Sequence, residues 1–536
     1  MLRAHKKPII YDTSLRDGLQ ARGVNLALEE KLRILNDLLA LQIPYIELGW
    51  PGANPKDTEL FARAKSLDTG ASKIVAFGST RRPKQNVLQD KQLQALLDAQ
   101  TDTVTLVAKS HLLHVTEVLN TSPSENLKMI SDSVRYLKDQ GREVIIDAEH
   151  FFDGYIEDRS YAMDCLDAAV TAGVDVITLC DTNGGQMPET IRKVISELNN
   201  LNIKLGIHCH NDCELAVANS LAAWEAGVQV IQGTFNGVGE RCGNANLTSL
   251  IPILQLKYQA PVIADEKLRE LTAYAKHFSE YYNSPLSPFS PFVGTAAFAH
   301  KGGLHASAVA KVSDSYEHIA PETVGNTRQI LVSEQSGRAN IALGAKNLKL
   351  SNEQSQLLLK KVKWLDSQGV DFEEADASFM LFAKKLFNER DVPFELLGFN
   401  SHTLHEESPS SLHNLDQCQT TLKINLNGKE VLSTAEARGP VEAFDQAFRE
   451  ALLPHYPEIN DMVLSNYKVR ILDPQSAAAA TTRVWIEAGY ENESWCTVGC
   501  SSNILSASSQ ALKDSFEYFI SEIITKRKSQ NDHQAA

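Results

Sequence analysis

The chain has 536 residues, 43% of them hydrophobic and 22% charged, which is an ordinary globular composition on a chain too long for one hydrophobic core. Its formal net charge of −15 repels phosphate backbones and anionic bilayers, so nucleic acid and membrane are not expected partners, while a locally basic pocket for an anionic small molecule is still allowed. There is no apolar run of about 18 residues, no signal-peptide pattern at the N-terminus and no paired C-x2-C spacing among the eight cysteines, so a soluble, cytoplasmic protein is expected.

Taken in chain order, short β-branched runs alternate with longer helical stretches. Strands are predicted at 9–15, 45–49, 73–78, 103–108, 143–149, 175–181, 204–210 and 228–235, and helices near 28–42, 56–67, 89–100, 124–140, 159–172, 188–200, 212–226 and 245–258. Eight strand-helix units in about 250 residues are the count of a (β/α)8 TIM barrel. An open doubly wound sheet shows the same alternation. What favours the barrel is that nearly every strand ends in Asp, Glu, His, Asn, Gly or Thr, at the end where such barrels keep their chemistry. Further on, 265–290 reads as helical, NSPLSPFSPFVG (283–294) as an exit from the barrel, about 350–388 as helices, and the Ser-, His- and Pro-rich stretch 400–417 as a linker. Strands such as TTLKINLNG, YKVRILD and TRVWIEAG then alternate with helices at 440–453 and 507–526. The expected organisation is an α/β barrel over 1–285, helical linker subdomains over 286–400 and a C-terminal α+β domain over 418–528.

One constellation carries chemistry. In HCH (208–210) a two-residue offset on a strand puts both imidazoles on one face, where they can share an ion. An H-x-H pair alone is more often incidental, and RDG (16–18) alone is as well read as a charged turn. Closure of eight strands changes the weighing. It seats strand eight beside strand one, with strand seven one step further round, and so brings Asp17 within reach of His208 and His210. The glycine-rich loop NGVGERCGNAN (236–246) adds Asn244 on the same rim. One carboxylate and two imidazoles leave coordination positions open, as a catalytic ion requires, and the donor set does not choose among Mg, Mn, Co and Zn.

The runs YDTSLRDGLQARGVNL, HCHND, GERCGNANL and HKGGLHASA, with DAEHFFDGY (147–155), CDTNGG (180–185), YEHIAPETVGN (316–326) and SEQSGRANI (333–341), resemble the metal-dependent Claisen-condensing barrels that include the isopropylmalate, homocitrate and citramalate synthases. The resemblance covers nearly the whole chain. GPVEAFDQAFREAL (439–452) and YKVRILD (467–473) resemble the effector-binding and dimerisation domain of that family. It implies an acyltransferase that joins acetyl-CoA, as co-substrate, to a 2-keto acid, with pyruvate first among candidates. It also implies an isoleucine effector and a homodimer, with the segment after the barrel contributing to the active site. By the same resemblance Arg16 stabilises the developing oxyanion, Thr182 holds the keto-acid carboxylate, Glu149 lies near the substrate, and His305 does acid-base work assisted by Tyr316. His300 falls in the same segment as His305. Leu19 departs from the threonine usual in the synthases and matches the hydroxymethylglutaryl-CoA lyase branch, whose G-C-P-Y-A loop is missing here. The alternatives are a synthase for a larger keto acid such as 2-oxoisovalerate, a lyase running the reverse cleavage, a barrel retained only for binding, and, remotely, an iron oxygenase.

Overall fold

The computed structural model describes residues 6–198, 200–332, 341, 345, 348, 350–389, 392–406, 415–491 and 493–527. The chain divides into two compact units, Met1–Phe298 with Ile319–Thr327, and Ala299–His318 with Arg328–Ala536. Among the described residues no helix is long and apolar enough to cross a membrane.

In the first unit, β1 (Ile9–Asp12), β2 (Tyr45–Gly49), β3 (Lys73–Ser79), β4 (Thr103–Lys109), β5 (Glu143–Glu149), β6 (Val176–Asp181), β7 (Lys204–Cys209) and β8 (Val230–Gly233) form a closed barrel in sequence order. The ring is shut by β1 lying parallel to β8, with Ile9 opposite Val230 and Asp12 opposite Gly233, which removes the open-sheet alternative. The first strand stops earlier than the apolar run suggests. The Asp12 carboxylate accepts hydrogen bonds from the Ser14 amide and hydroxyl and turns the chain there.

Alternation along these strands sorts the side chains. Ile10, Ile46, Val104, Val144, Ile177, Ile207 and Ile231 are fully or almost fully buried in the main core with the helices. Their neighbours Tyr11, Tyr45, Val75, Ile145, Val176 and Val230 form a separate cluster that fills the barrel interior. The covering helices begin where the sequence signals them: Asn54, Asp90 and Ser122 cap Pro55–Ala64, Lys91–Asp98 and Pro123–Asp139 by accepting from backbone N–H groups. One helix was not anticipated, Phe151–Glu157, which follows β5 directly after a left-handed turn at His150 (φ 56°). It packs so closely on the neighbouring loop that a Cβ at Gly154 would lie 2.6 Å from the Ser110 carbonyl oxygen.

The second unit contains the helices Asn352–Ser367 and Asp376–Leu386 and two three-stranded antiparallel sheets. One sheet is Glu395–Glu406, Leu415–Leu426 and Lys429–Ala437; the other is Val463–Ile471, Thr482–Tyr490 and Glu493–Ser501. Helices Pro440–Leu452 and Ile504–Tyr518 share a core with both, through Phe444, Phe448, Leu422, Val484 and Phe516. The linker expected at 400–417 is therefore corrected where it is described. Residues 400–406 and 415–417 are paired strand, with Asn400 opposite Thr421 and His405 opposite Asp416. The strand runs along a sheet edge and is largely exposed, so its polar residues meet water and give no apolar alternation to read. Residues 407–414, and all of SEQSGRANI but Ile341, lie outside the described residues.

Candidate active site

The floor of the site is a set of hydrogen bonds that cross the barrel interior. The Tyr11 hydroxyl on β1 donates to Glu47 on β2 at 2.5 Å and lies 2.8 Å from the Thr105 hydroxyl on β4. The Gln232 amide on β8 donates to Asp147 on β5 at 2.9 Å and to Thr178 on β6 at 3.2 Å. Partners on strands that are not neighbours can meet only through the lumen, so these polar side chains all point inward. Burial raises the Tyr11 and Glu47 pKa values and lifts Asp147 to about 7, with the Glu47 charge adding to the rise in Tyr11 and Asp147 and the Arg16 charge opposing it in Glu47 and Asp147.

Above this floor the chain brings together the residues that its linear spacing holds apart. Asp17, His208 and His210 are all buried and form a group able to hold a metal ion. His208 Nε2 lies 3.6 Å and His210 Nε2 3.8 Å from Asp17 Oδ2, and the two imidazole nitrogens are 3.3 Å apart. Ligand atoms bound at right angles about 2.1 Å from one ion stand about 3 Å apart, so the donor atoms fit a divalent cation with a small adjustment. Asn244 reaches the same carboxylate: its Nδ2 donates to Asp17 Oδ1 at 2.8 Å, while its Oδ1 is buried with no hydrogen-bond partner. The loop is glycine here by necessity, since a Cβ at Gly239 would sit 2.0 Å from Asn244 Nδ2 and 3.1 Å from Asp17 Oδ1.

The electrostatics suit cation binding. Burial alone would raise the Asp17 carboxyl, but Arg16, then His208, His210 and the Asn244 amide outweigh it and hold the group well below the ordinary carboxylate range. Burial, and then the adjacent imidazole of His210, push His208 down to about 3, and burial likewise lowers His210. Near neutral pH the group is thus one carboxylate and two neutral imidazoles, the protonation state that a metal requires.

Arg16 is fixed from three sides. Its Nε donates to Glu47, its Nη1 donates to Asp17 at 2.9 Å, and its guanidinium lies 4.1 Å from the centre of the Phe77 ring. Thr182 follows β6 and caps no helix; its hydroxyl accepts from the His150 amide at 2.9 Å and keeps its own proton to donate. Glu149 ends β5 and is ion-paired with Lys109 at the end of β4. His305 and Tyr316 belong to the second unit, where their rings stack with centroids 4.2 Å apart. His300, in the same unit, is instead tied to Glu317 at 3.0 Å, and Glu317 to Arg328. Sequence reasoning missed Glu47, Lys109, Asp147 and Gln232. The available signal was parity: each lies an even number of residues along its strand from another inward-facing residue.

The chain is similar over nearly its whole length to known proteins. Residues 7–275 match the HMGL-like family, 292–369 the homocitrate synthase post-HMGL domain-like family, and 373–520 the LeuA allosteric (dimerisation) domain. The (R)-citramalate synthase of Synechocystis sp. is 47% identical over 525 residues, covering 95% of each chain. That of Aquifex aeolicus is 44% identical over 521 residues, covering 96% of this chain and 98% of its own. A probable 2-isopropylmalate synthase of Methanopyrus kandleri is 30% identical over 483 residues, covering 89% and 91%.

Proposed function

We propose, from the premise that this chain belongs to the (R)-citramalate synthases of the HMGL-like barrel family, how its own residues carry out that family's reaction. The enzyme is an acetyl-CoA-dependent condensing transferase that joins the acetyl group to pyruvate and releases citramalate and CoA. The observation that carries the reading is the meeting of Asp17, His208 and His210 at one buried point beside a clamped guanidinium.

Asp17, His208 and His210, with Asn244 as a further ligand, would hold a divalent ion, which would supply a Lewis acid for the keto carbonyl; Mg, Mn, Co and Zn all suit the donor set. The rest falls to the chain's own groups. Arg16 cannot swing away from the rim, because Glu47 and Phe77 hold it, so its positive charge stands ready as the keto oxygen becomes an alkoxide. Thr182 donates its free proton to the substrate carboxylate. His305 takes the proton from the acetyl methyl, Tyr316 orients the imidazole through the ring stack, and Glu149 lines the substrate. Condensation forms the carbon–carbon bond, and water then cleaves the thioester to give citramalate and CoA.

We assign catalysis to the barrel over 1–285, a contribution to the active site to 286–400, and homodimer formation with isoleucine as effector to 418–528. What supports the dimer is the edge strand Val463–Ile471, whose Val463 (61%) and Ile471 (56%) are well exposed for apolar side chains. The eight cysteines are all free, which suits a reducing cytosol and a place in isoleucine biosynthesis.

The test is thiol release from acetyl-CoA with Mg or Mn and a panel of keto acids. Release with pyruvate and not with 2-oxoisovalerate is expected; absence of release with pyruvate sinks the reading. Isoleucine titrated against the full-length protein tests the effector assignment: inhibition of thiol release is expected, and unchanged release at saturating isoleucine removes the assignment.

A further inference from the structure

We infer that Gln232 and Asp147 are positioning residues that set the tautomer of His208, keeping its proton on Nδ1 so that Nε2 offers a lone pair to the metal. The inference rests on the reading that Asp17, His208 and His210 hold the ion.

His208 Nδ1 lies 2.8 Å from Gln232 Oε1 in a fully buried contact. A primary amide has one donating end and one accepting end, and the donating end of Gln232 is already committed. Its Nε2 faces the Asp147 carboxylate at 2.9 Å and the Thr178 hydroxyl at 3.2 Å. Above the value of about 7 to which burial lifts it, Asp147 is ionised and has no proton to give, so turning the amide over would set its oxygen against the oxygen of Asp147. The amide is therefore locked, Oε1 must accept, and His208 must donate from Nδ1. Its Nε2, 3.6 Å from Asp17 Oδ2, is left with the lone pair.

Metal-ligating histidines commonly give their second N–H to a carboxylate. Here an amide is interposed, and the polarity set by Asp147 on β5 passes through Gln232 on β8 to His208 on β7. His210 has no such tie: its Nδ1 is buried without a partner. The two ligands thus differ, one with its proton fixed by the barrel floor and the other free of that constraint.

The chain of polarity can be reversed and restored without a change of volume. In Asp147→Asn the new amide can donate, Gln232 can turn over, and its NH2 then faces Nδ1, which moves the His208 proton to Nε2 and covers the lone pair. In the double variant Asp147→Asn with Gln232→Glu, the introduced asparagine donates to one oxygen of the introduced carboxylate and the other oxygen accepts from His208 Nδ1, so the original direction and total charge return. Binding of Mn2+ alone, read from the EPR signal of the free ion, should weaken by about tenfold or more in D147N. It should recover most of that loss in the double variant, and kcat at saturating Mn2+ should recover with it.

Long-range nitrogen-15 spectra of the metal-free wild type, labelled at histidine and recorded well above the Asp147 pKa of about 7, should show the His208 proton on Nδ1, a reading that depends on no variant folding. A proton on Nε2 overturns the proposal. So does Mn2+ binding by D147N as tight as wild type, or a double variant no tighter than D147N while both unfold at the wild-type temperature. Wild-type protein that binds no Mn2+ would instead sink the metal site itself, and the nitrogen-15 result would still decide the tautomer.

Discussion

The histidines of the barrel rim and the histidine of the post-barrel segment are held in opposite ways. The His208 and His210 side chains are each only 6% exposed, and His208 is anchored through Gln232 to the barrel floor. His305 is exposed and rests on the ring of Tyr316, itself 47% exposed. A metal ligand is useful only when it is aimed, so it profits from burial and a fixed hydrogen bond. The proton transfer proposed for His305 needs a group that reaches its substrate and exchanges with solvent, and an exposed stack leaves it free to do both.

Removing an aimed ligand should therefore cost most. Asp17→Ala or His208→Ala should lower thiol release by on the order of a thousandfold or more and abolish Mn2+ binding, with the far-ultraviolet circular dichroism unchanged. Activity retained in either would break the contrast at its stronger end. His305→Ala should lower kcat by about a hundredfold or more, yet leave Mn2+ affinity as it was. A parallel loss of Mn2+ affinity would mean that the two histidines do not differ in role. Arg16→Lys sharpens the same distinction within the rim: lysine cannot span Glu47 and Asp17 with a planar fork, so kcat should fall by about a hundredfold while metal affinity changes less. Titrating activity against Mn2+ in that variant separates the two effects.

Much of this was legible in the sequence, and the limits have physical causes. The grouping of Asp17, His208 and His210 could be found because H-x-H fixes parity on a strand and barrel closure fixes which strands meet. For the second layer, parity places each side chain in the lumen but does not say what it meets there. Glu47 in YIELG and Gln232 in VIQG look like stray polar residues in apolar strands until the lumen shows what lies opposite, Arg16 and Tyr11 for one, His208 and Asp147 for the other. Lys109 was hidden because its partner, Glu149, is on the next strand, 40 residues away. The edge strand at 395–406 was missed for the reverse reason: a strand wet over most of its length carries no hydrophobic period.

The smallest expected effect concerns Asp12, which is fully buried at the end of β1, on the side of its strand away from the metal group. Burial lifts its pKa from 3.8 to about 7, against the opposing pull of the hydrogen bonds from the Ser14 amide and hydroxyl. The folded state thus holds this proton more tightly than the unfolded chain does. The stabilisation it gives is complete below the unfolded value near 4, and it is lost as pH rises through the folded value near 7. Asparagine has nearly the same shape, accepts from the Ser14 amide through its oxygen, and does not ionise. Asp12→Asn should consequently unfold about 3 °C above wild type at pH 8 in metal-free buffer, with the gap shrinking toward zero at pH 5. The measurement is calorimetric, and an equal gap at both pH values would mean that the carboxyl does not change charge in that window, leaving its burial without the linkage argued from it.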